Sequence, residues 1–397
     1  MMQDNLSKRT FSTIWTDVYN KISGFIFNAT RLWLNVFIGK ALWSSAVYNK
    51  DTNYIKQRLQ EKGTQVDYGT VKVNESCLHR LIVTPKKPKG LQLFFQGHAV
   101  SIYKTSTLKS VIQQAEMTDS IVIAYDQRGV GHSKGPTLTS SHDLQKDLDV
   151  QVAQTEDYLA ELKSKKVLPH DTKWTLYGLC FGGFLAAMCG AKHYNNKDFS
   201  HAVISRSTQS LSHIFGWSKD FSFYFPSLFA NPKDCRVSTK KKKHSLLTRA
   251  NMFLASVALL SIQFIPRLIR FCMLNAFLTF IGWNMNIVRS RSMQNFYKSK
   301  KVKVLRVEGD EFVQPKACLT NAKVVKPVSL QLKYVEPSKK IYAEHYAQSE
   351  LLRKKYSSSS DCYNDLIDEK KTTSHQAWSA WLWHDYTNEF DIVRAAL

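Results

Sequence analysis

From about Thr70 onward, short apolar runs alternate with amphipathic stretches in an order that admits few folds. Leu91 to Phe95 (LQLFF), Ser120 to Tyr125 (SIVIAY), Trp174 to Leu179 and Ala202 to Ser205 read as buried strands, and Val302 to Val307 and Val328 to Val335 add two more. Between them, Tyr103 to Met117, a long stretch ending near Lys163, and the small-residue run Phe181 to Ala191 carry helical spacing. Ser140 and Asp143 stand at capping-box spacing before the long stretch, which sets Leu144, Leu148, Val152, Thr155 and Leu159 along one face. Strands alternating with helices predict an α/β fold, with a mostly parallel central sheet covered by helices on both faces.

The alternation is broken over 208–300, and the break has its own composition. It is rich in Phe and Trp and carries the basic run Lys240, Lys241, Lys242 and Lys243, with Arg249 close behind. Two uncharged stretches follow, Ala250 to Pro266 and Phe271 to Val288, parted by Arg267 and Arg270. Inserted between strands, such a segment reads as a large helical cap. The expected organisation is an aromatic, amphipathic helical arm over 1–65, a first core part over 66–207 and the cap over 208–300. A second core part over 301–356 and a Ser-linked tail over 357–397 complete it. The arm, with Ile14, Trp15, Val18, Tyr19, Ile22 and Phe25 at helical spacing, suits either a membrane interface or a buried packing role.

With 44% hydrophobic and 12% aromatic residues the chain buries a sizeable core, which excludes a mainly disordered class. Lys and Arg number 55 against 32 Asp and Glu, a formal charge of +23, and this excess implies an acidic partner surface. No RRM, KH or helix-turn-helix pattern accompanies it, so nucleic acid is not expected and an anionic membrane surface is. Basic residues beside an apolar segment contribute on the order of 1 kcal/mol each at such a surface, which makes Lys240 to Lys243 and Arg249 candidate membrane contacts. The uncharged stretches suit a cap lying on lipid, a cap docked over a cleft, or a spanning hairpin. The 7 cysteines are scattered without CxxC spacing, so no metal and no cofactor is expected. The first residues lack a signal-peptide pattern, which points to a cytoplasmic protein or one peripheral on a membrane. The sequence sets no oligomeric state.

The most informative run is Gly178-Leu179-Cys180-Phe181-Gly182-Gly183, directly between a strand and a small-residue helix. A residue thrust out on a sharp strand-to-helix turn needs neighbours without bulk two positions away, which Gly178 and Gly182 supply. At a helix N-terminus the partial positive charge favours a thiolate at Cys180. A glycine-flanked structural cysteine is the alternative.

This run resembles the nucleophile elbow of the α/β-hydrolase superfamily, with Cys for the commoner Ser, as in dienelactone hydrolases and polyhydroxyalkanoate synthases. Leu93-Phe94-Phe95-Gln96-Gly97-His98-Ala99 is similar to the strand and oxyanion turn of the family, with Gln96 where its His-Gly pair begins. Tyr125-Asp126-Gln127-Arg128-Gly129-Val130-Gly131-His132-Ser133 resembles the family's D-x-R-G-x-G-x-S loop. The likeness covers roughly 91–207 and 302–355 and extends to lysophospholipase-like acyl hydrolases. A fainter one is to lipase-like effectors that bacteria deliver into host cells, of the SidB type, which would make this a secreted effector.

The resemblance implies an acid after the strand that follows the cap and a histidine after the last strand. Asp310, in Val307-Glu308-Gly309-Asp310-Glu311-Phe312-Val313, is the expected acid, with Glu311 and Glu308 as alternatives. His345 is the expected base, with His375 and His384 as alternatives. The implied oxyanion donors are backbone N–H groups of Phe181 and of His98 or Ala99. The expected function is an acyl hydrolase working through Cys180, His345 and Asp310 on a lipid or fatty-acyl ester or thioester at a membrane. The alternatives are an acyltransferase with the same triad and an inactive membrane-binding protein on a hydrolase scaffold.

Overall fold

In a computed structural model of the chain, the described residues are 63–97, 101–103, 105–217, 264–307, 313 and 316–330, with 28, 30–32, 34–35 and 38 near the N-terminus. They contain the strands β1 (Gln65–Val73), β2 (Ser76–Thr84), β3 (Gly90–Phe95), β4 (Ser120–Tyr125), β5 (Trp174–Leu179), β6 (Phe199–Ser205), β7 (Val302–Val307) and β8 (Pro327–Leu330). These join in one sheet of order β1-β2-β4-β3-β5-β6-β7-β8. β2 pairs antiparallel with both β1 and β4, and every later pairing is parallel. With helices on both faces, this is the α/β-hydrolase fold that the sequence predicts.

The central strands are largely apolar because both their faces are covered. Leu91, Leu93, Phe95, Ile121 and Ile123 enter one core, while Phe94, Val122, Ala124, Tyr177, Val203 and Leu305 enter the other. On the second face lies α1 (Thr105–Thr118), through Leu108, Val111, Ile112 and Ala115. On the first lie α2 (Ser141–Ser164) and α3 (Gly182–His193). Ser140 caps α2 as its spacing predicts, its side chain accepting from the backbone N–H of Asp143 at 3.2 Å. The helix expected from Tyr103 starts at Thr105, and the Tyr103 N–H donates to Ser101 Oγ (3.2 Å).

Among the described residues, three further helices lie between β6 and β7: α4 (Leu211–Trp217), α5 (Arg267–Ile281) and α6 (Arg291–Lys298). α6 packs on α3, with the Phe296 ring where a Cβ on Gly190 would stand, 2.3 Å from its Cζ. It therefore serves as the crossover helix that delivers β7 beside β6. α5 begins after Pro266 and stops at Gly282, whose φ of 83° takes the left-handed position that ends helices. The two arginines that part the uncharged stretches are thus inside one helix. Arg270 turns inward and donates from Nε to the carbonyl of Gly216 at 3.0 Å. No described helix is long and apolar enough to cross a membrane.

Candidate active site

β5 and α3 meet at Cys180 with no intervening loop. Cys180 has φ 54°, a left-handed backbone that only glycine adopts without strain. Its N–H donates to the carbonyl of Ser205 at the end of β6 (2.9 Å), and its own carbonyl accepts from Gly183 N (3.0 Å). The turn is this sharp because three neighbours are glycine. A Cβ on Gly178 would lie 2.6 Å from that of Ala186. One on Gly182 would lie 2.1 Å from the carbonyl oxygen of Phe95, and one on Gly183 2.4 Å from the Ser207 side chain. The start of α3 is therefore pressed directly on the ends of β3 and β6, and Gly97 follows β3 beside Cys180. The sulfur stands at the carboxyl end of the central parallel strands, where open α/β sheets place their ligands.

β6 repeats the device one strand over. Arg206 has φ 52° and is fully buried, its Nη1 donating to Ser205 Oγ at 2.9 Å. Strained non-glycine residues cost on the order of 1–3 kcal/mol each and gather at functional sites. Two of them end adjacent strands here.

The loop after β4 explains the D-x-R-G-x-G-x-S pattern residue by residue. Asp126 is buried, accepting from Ile102 N (2.7 Å) and Ser101 Oγ (2.8 Å), so it ties down the chain just beyond the turn that follows β3. Burial pushes its carboxyl up to about 7, against the hydrogen bonds from Ile102, Ser101 and the backbone of His132. Gly131, at φ 57°, lets the loop approach that carboxylate, since a Cβ there would meet Asp126 Oδ2 at 2.2 Å. Ser133 donates to the backbone carbonyl of Asp126 (2.7 Å) and accepts from His79 N (2.8 Å). Arg128 reaches away to α2, where Nε meets Asp147 Oδ2 at 2.7 Å in a buried bidentate pair.

Of the residues singled out in the sequence, Cys180, Phe181, Gly178, Gly182 and Gly183 come together in this turn, Phe181 sitting just before the first residue of α3. His98, Ala99, Asp310, His345, Lys240 to Lys243 and Arg249 lie outside the described residues, as do Glu308, Glu311, His375 and His384. Val313 of the expected acid turn is buried. Arg206, Ser207 and Asp126 had not been singled out as site residues. The signal for Asp126 was its motif, while that for Arg206 and Ser207 was only their place at a strand end. Among the described residues, no group of three or more His, Cys, Asp or Glu forms a metal-ligand cluster.

No protein-family model and no curated protein sequence matches the chain. Among solved structures it is similar to an alpha-beta hydrolase from Vibrio vulnificus, at 14% identity and a TM-score of 0.42 over 80% of this chain and 91% of that one. An esterase of Pyrococcus furiosus is similar at 13% identity and a TM-score of 0.37, covering 66% of this chain and 76% of its own. A proline iminopeptidase from Mycobacterium smegmatis gives 16% and 0.32, over 66% and 89%. These likenesses are distant in sequence and shape, so the fold is assigned on the strand order and pairing.

Proposed function

We propose that the chain is a carboxylic ester or thioester hydrolase with Cys180 as its nucleophile. The observation that carries this is the backbone of Cys180, a left-handed non-glycine residue held at the mouth of α3 by three glycines. A structural cysteine needs no such strain, whereas a nucleophile presented on an elbow requires it. The proposed base is His345 and the proposed acid Asp310, both taken from the family pattern.

The Cys180 thiolate attacks the acyl carbonyl and His345 holds the thiol proton, its imidazolium steadied by Asp310. Backbone N–H groups of Phe181 and of His98 or Ala99 would receive the oxyanion. On collapse, the leaving alcohol or thiol takes the proton from His345, and the acyl group stays on sulfur as a thioester. Water, deprotonated by the same histidine, then attacks the thioester and frees the acid. Replacing water by an alcohol acceptor would make the same site an acyltransferase, and product analysis with and without acceptor separates the two. The substrate class proposed is a lipid or fatty-acyl ester or thioester presented at a membrane.

The test is mass spectrometry of protein quenched in acid during turnover of an activated acyl ester. The peptide bearing Cys180 should gain the acyl mass, reversibly with hydroxylamine, and Cys180→Ala should gain none. Equal acylation of both proteins would sink the proposal.

A further inference from the structure

α5 buries Leu278 and Ile281 but also turns polar side chains toward the protein: Arg270 bonds to Gly216, and Asn275 Oδ1 accepts from Asn284 Nδ2 (2.9 Å) and from Ser212 Oγ (3.2 Å). Its outward side carries Leu268, Ile269, Cys272, Met273, Phe277 and Phe280, following the exposed Phe264. The exposures are large for such side chains, 87% at Phe264, 64% at Leu268 and 54% at both Ile269 and Met273. A water-facing helix normally shows the reverse arrangement, and contiguous exposed apolar patches mark interaction sites. Leu32 of the N-terminal arm is exposed as well, and its neighbour Arg31 lies over the Phe280 ring at 5.7 Å.

The charge of the chain on either side of this helix indicates what covers it. From Cys235 to Val307 the chain holds fifteen Lys and Arg and not one Asp or Glu. A face made for another protein would not need flanking sequence of one sign, whereas a face made for an anionic bilayer gains from each cation that reaches the lipid. The 15 residues of α5, at about 1.5 Å each, span roughly 22 Å, short of the roughly 30 Å hydrocarbon core. A helix of this kind lies in the interface plane with its apolar side sunk among the headgroups.

We infer that the outward face of α5 docks the protein on an anionic phospholipid surface, with Leu268, Ile269, Met273, Phe277 and Phe280 as the inserted side chains. The inference rests on the membrane part of the proposed function and is independent of the chemistry at Cys180.

The test is sedimentation of the full chain with vesicles of phosphatidylcholine alone and of phosphatidylcholine mixed with phosphatidylserine. Cys180→Ala protein is run alongside, so that any turnover of lipid plays no part. Binding should appear on the mixed vesicles, weaken as salt rises, and fall at least tenfold in Leu268→Asn/Met273→Asn. Both changes are on exposed positions, so the variant should keep the wild-type melting curve. The inference is overturned if the wild type ignores the mixed vesicles, or if the folded double variant binds them as the wild type does. It is overturned equally if the wild type is a dimer that the double variant splits with no change in vesicle binding, since the face would then join two copies. Acylation of Cys180 without vesicle binding would refute the docking face alone, and binding without acylation would refute the hydrolase alone.

Discussion

Gly182→Ala places one methyl group where the fold has least room. The added carbon would stand 2.1 Å from the carbonyl oxygen of Phe95 and 2.4 Å from that of Gln96. Both oxygens belong to main chain at the end of a central strand, so neither can swing aside as a side chain would. The contact is resolved only if the start of α3 withdraws by about 1 Å, and overpacking of this sort costs about 1–3 kcal/mol. Against that, alanine is preferred to glycine inside a helix by up to about 1 kcal/mol. A net loss of up to about 2 kcal/mol remains, a fall in melting temperature of up to roughly 8 °C for a large domain. The effect on the site should be larger than the effect on the fold, because a displacement of about 1 Å in a reacting group costs about a hundredfold in rate. The control is Gly97→Ala, whose new carbon meets nothing closer than the Cys180 Cβ at 3.9 Å and whose backbone is not left-handed. It should melt as the wild type does. Differential scanning fluorimetry on the three proteins, with the rate of acyl transfer to Cys180 by stopped mass spectrometry, decides the matter. A Gly182→Ala protein that melts within a degree of wild type and acylates at the same rate would refute the claim that this glycine sets the position of the thiol.

The buried Asp126 makes stability depend on pH. Its pKa rises from 3.8 to about 7 on folding, so its stabilising contribution is complete below pH 4 and is lost as pH climbs through 7. Urea titrations at pH 5 and pH 8 should therefore show a smaller decline with pH for Asp126→Asn than for wild type; parallel declines would mean that the carboxyl is charged throughout. Asp147→Ala strands the guanidinium of Arg128 against α2, and removing one partner of a buried pair costs about 3–5 kcal/mol. Arg128→Met/Asp147→Leu should recover much of that loss in chemical denaturation, which a purely surface pair would not do. Under the proposed mechanism His345→Ala should lower kcat at least a thousandfold with little change in melting temperature; full activity would move the base to another histidine.

What the sequence disclosed was whatever short-range chemistry dictates. The strands Leu91–Phe95, Ser120–Tyr125 and Trp174–Leu179 are mostly apolar on both faces, and such runs are legible without knowing their neighbours. The sharp strand-to-helix turn was legible for the same reason, since its glycines answer a local steric demand around Cys180. The hairpin of β1 and β2 was not. Asp67, Gly69 and Lys72 dilute its alternation, and its turn at Asn74 (φ 51°) lacks the usual glycine. The sense of α5 was also hidden. An uncharged stretch shows that a helix is apolar, but whether Asn275 or Met273 faces inward depends on Ser212 and Asn284, which lie far away in sequence or beyond the helix end. The clamp from Asp126 to Ser101 and Ile102 bridges two loops, and only the sheet order brings those loops side by side.

The exposed thiol of Cys272, on the outward side of α5, gives this protein a native attachment point. Among the described cysteines it alone is exposed. With Cys77, Cys180, Cys235, Cys318 and Cys362 exchanged for serine, a polarity-sensitive dye coupled there would report its surroundings by emission colour, and a quencher carried at known bilayer depth would report how far the helix sinks.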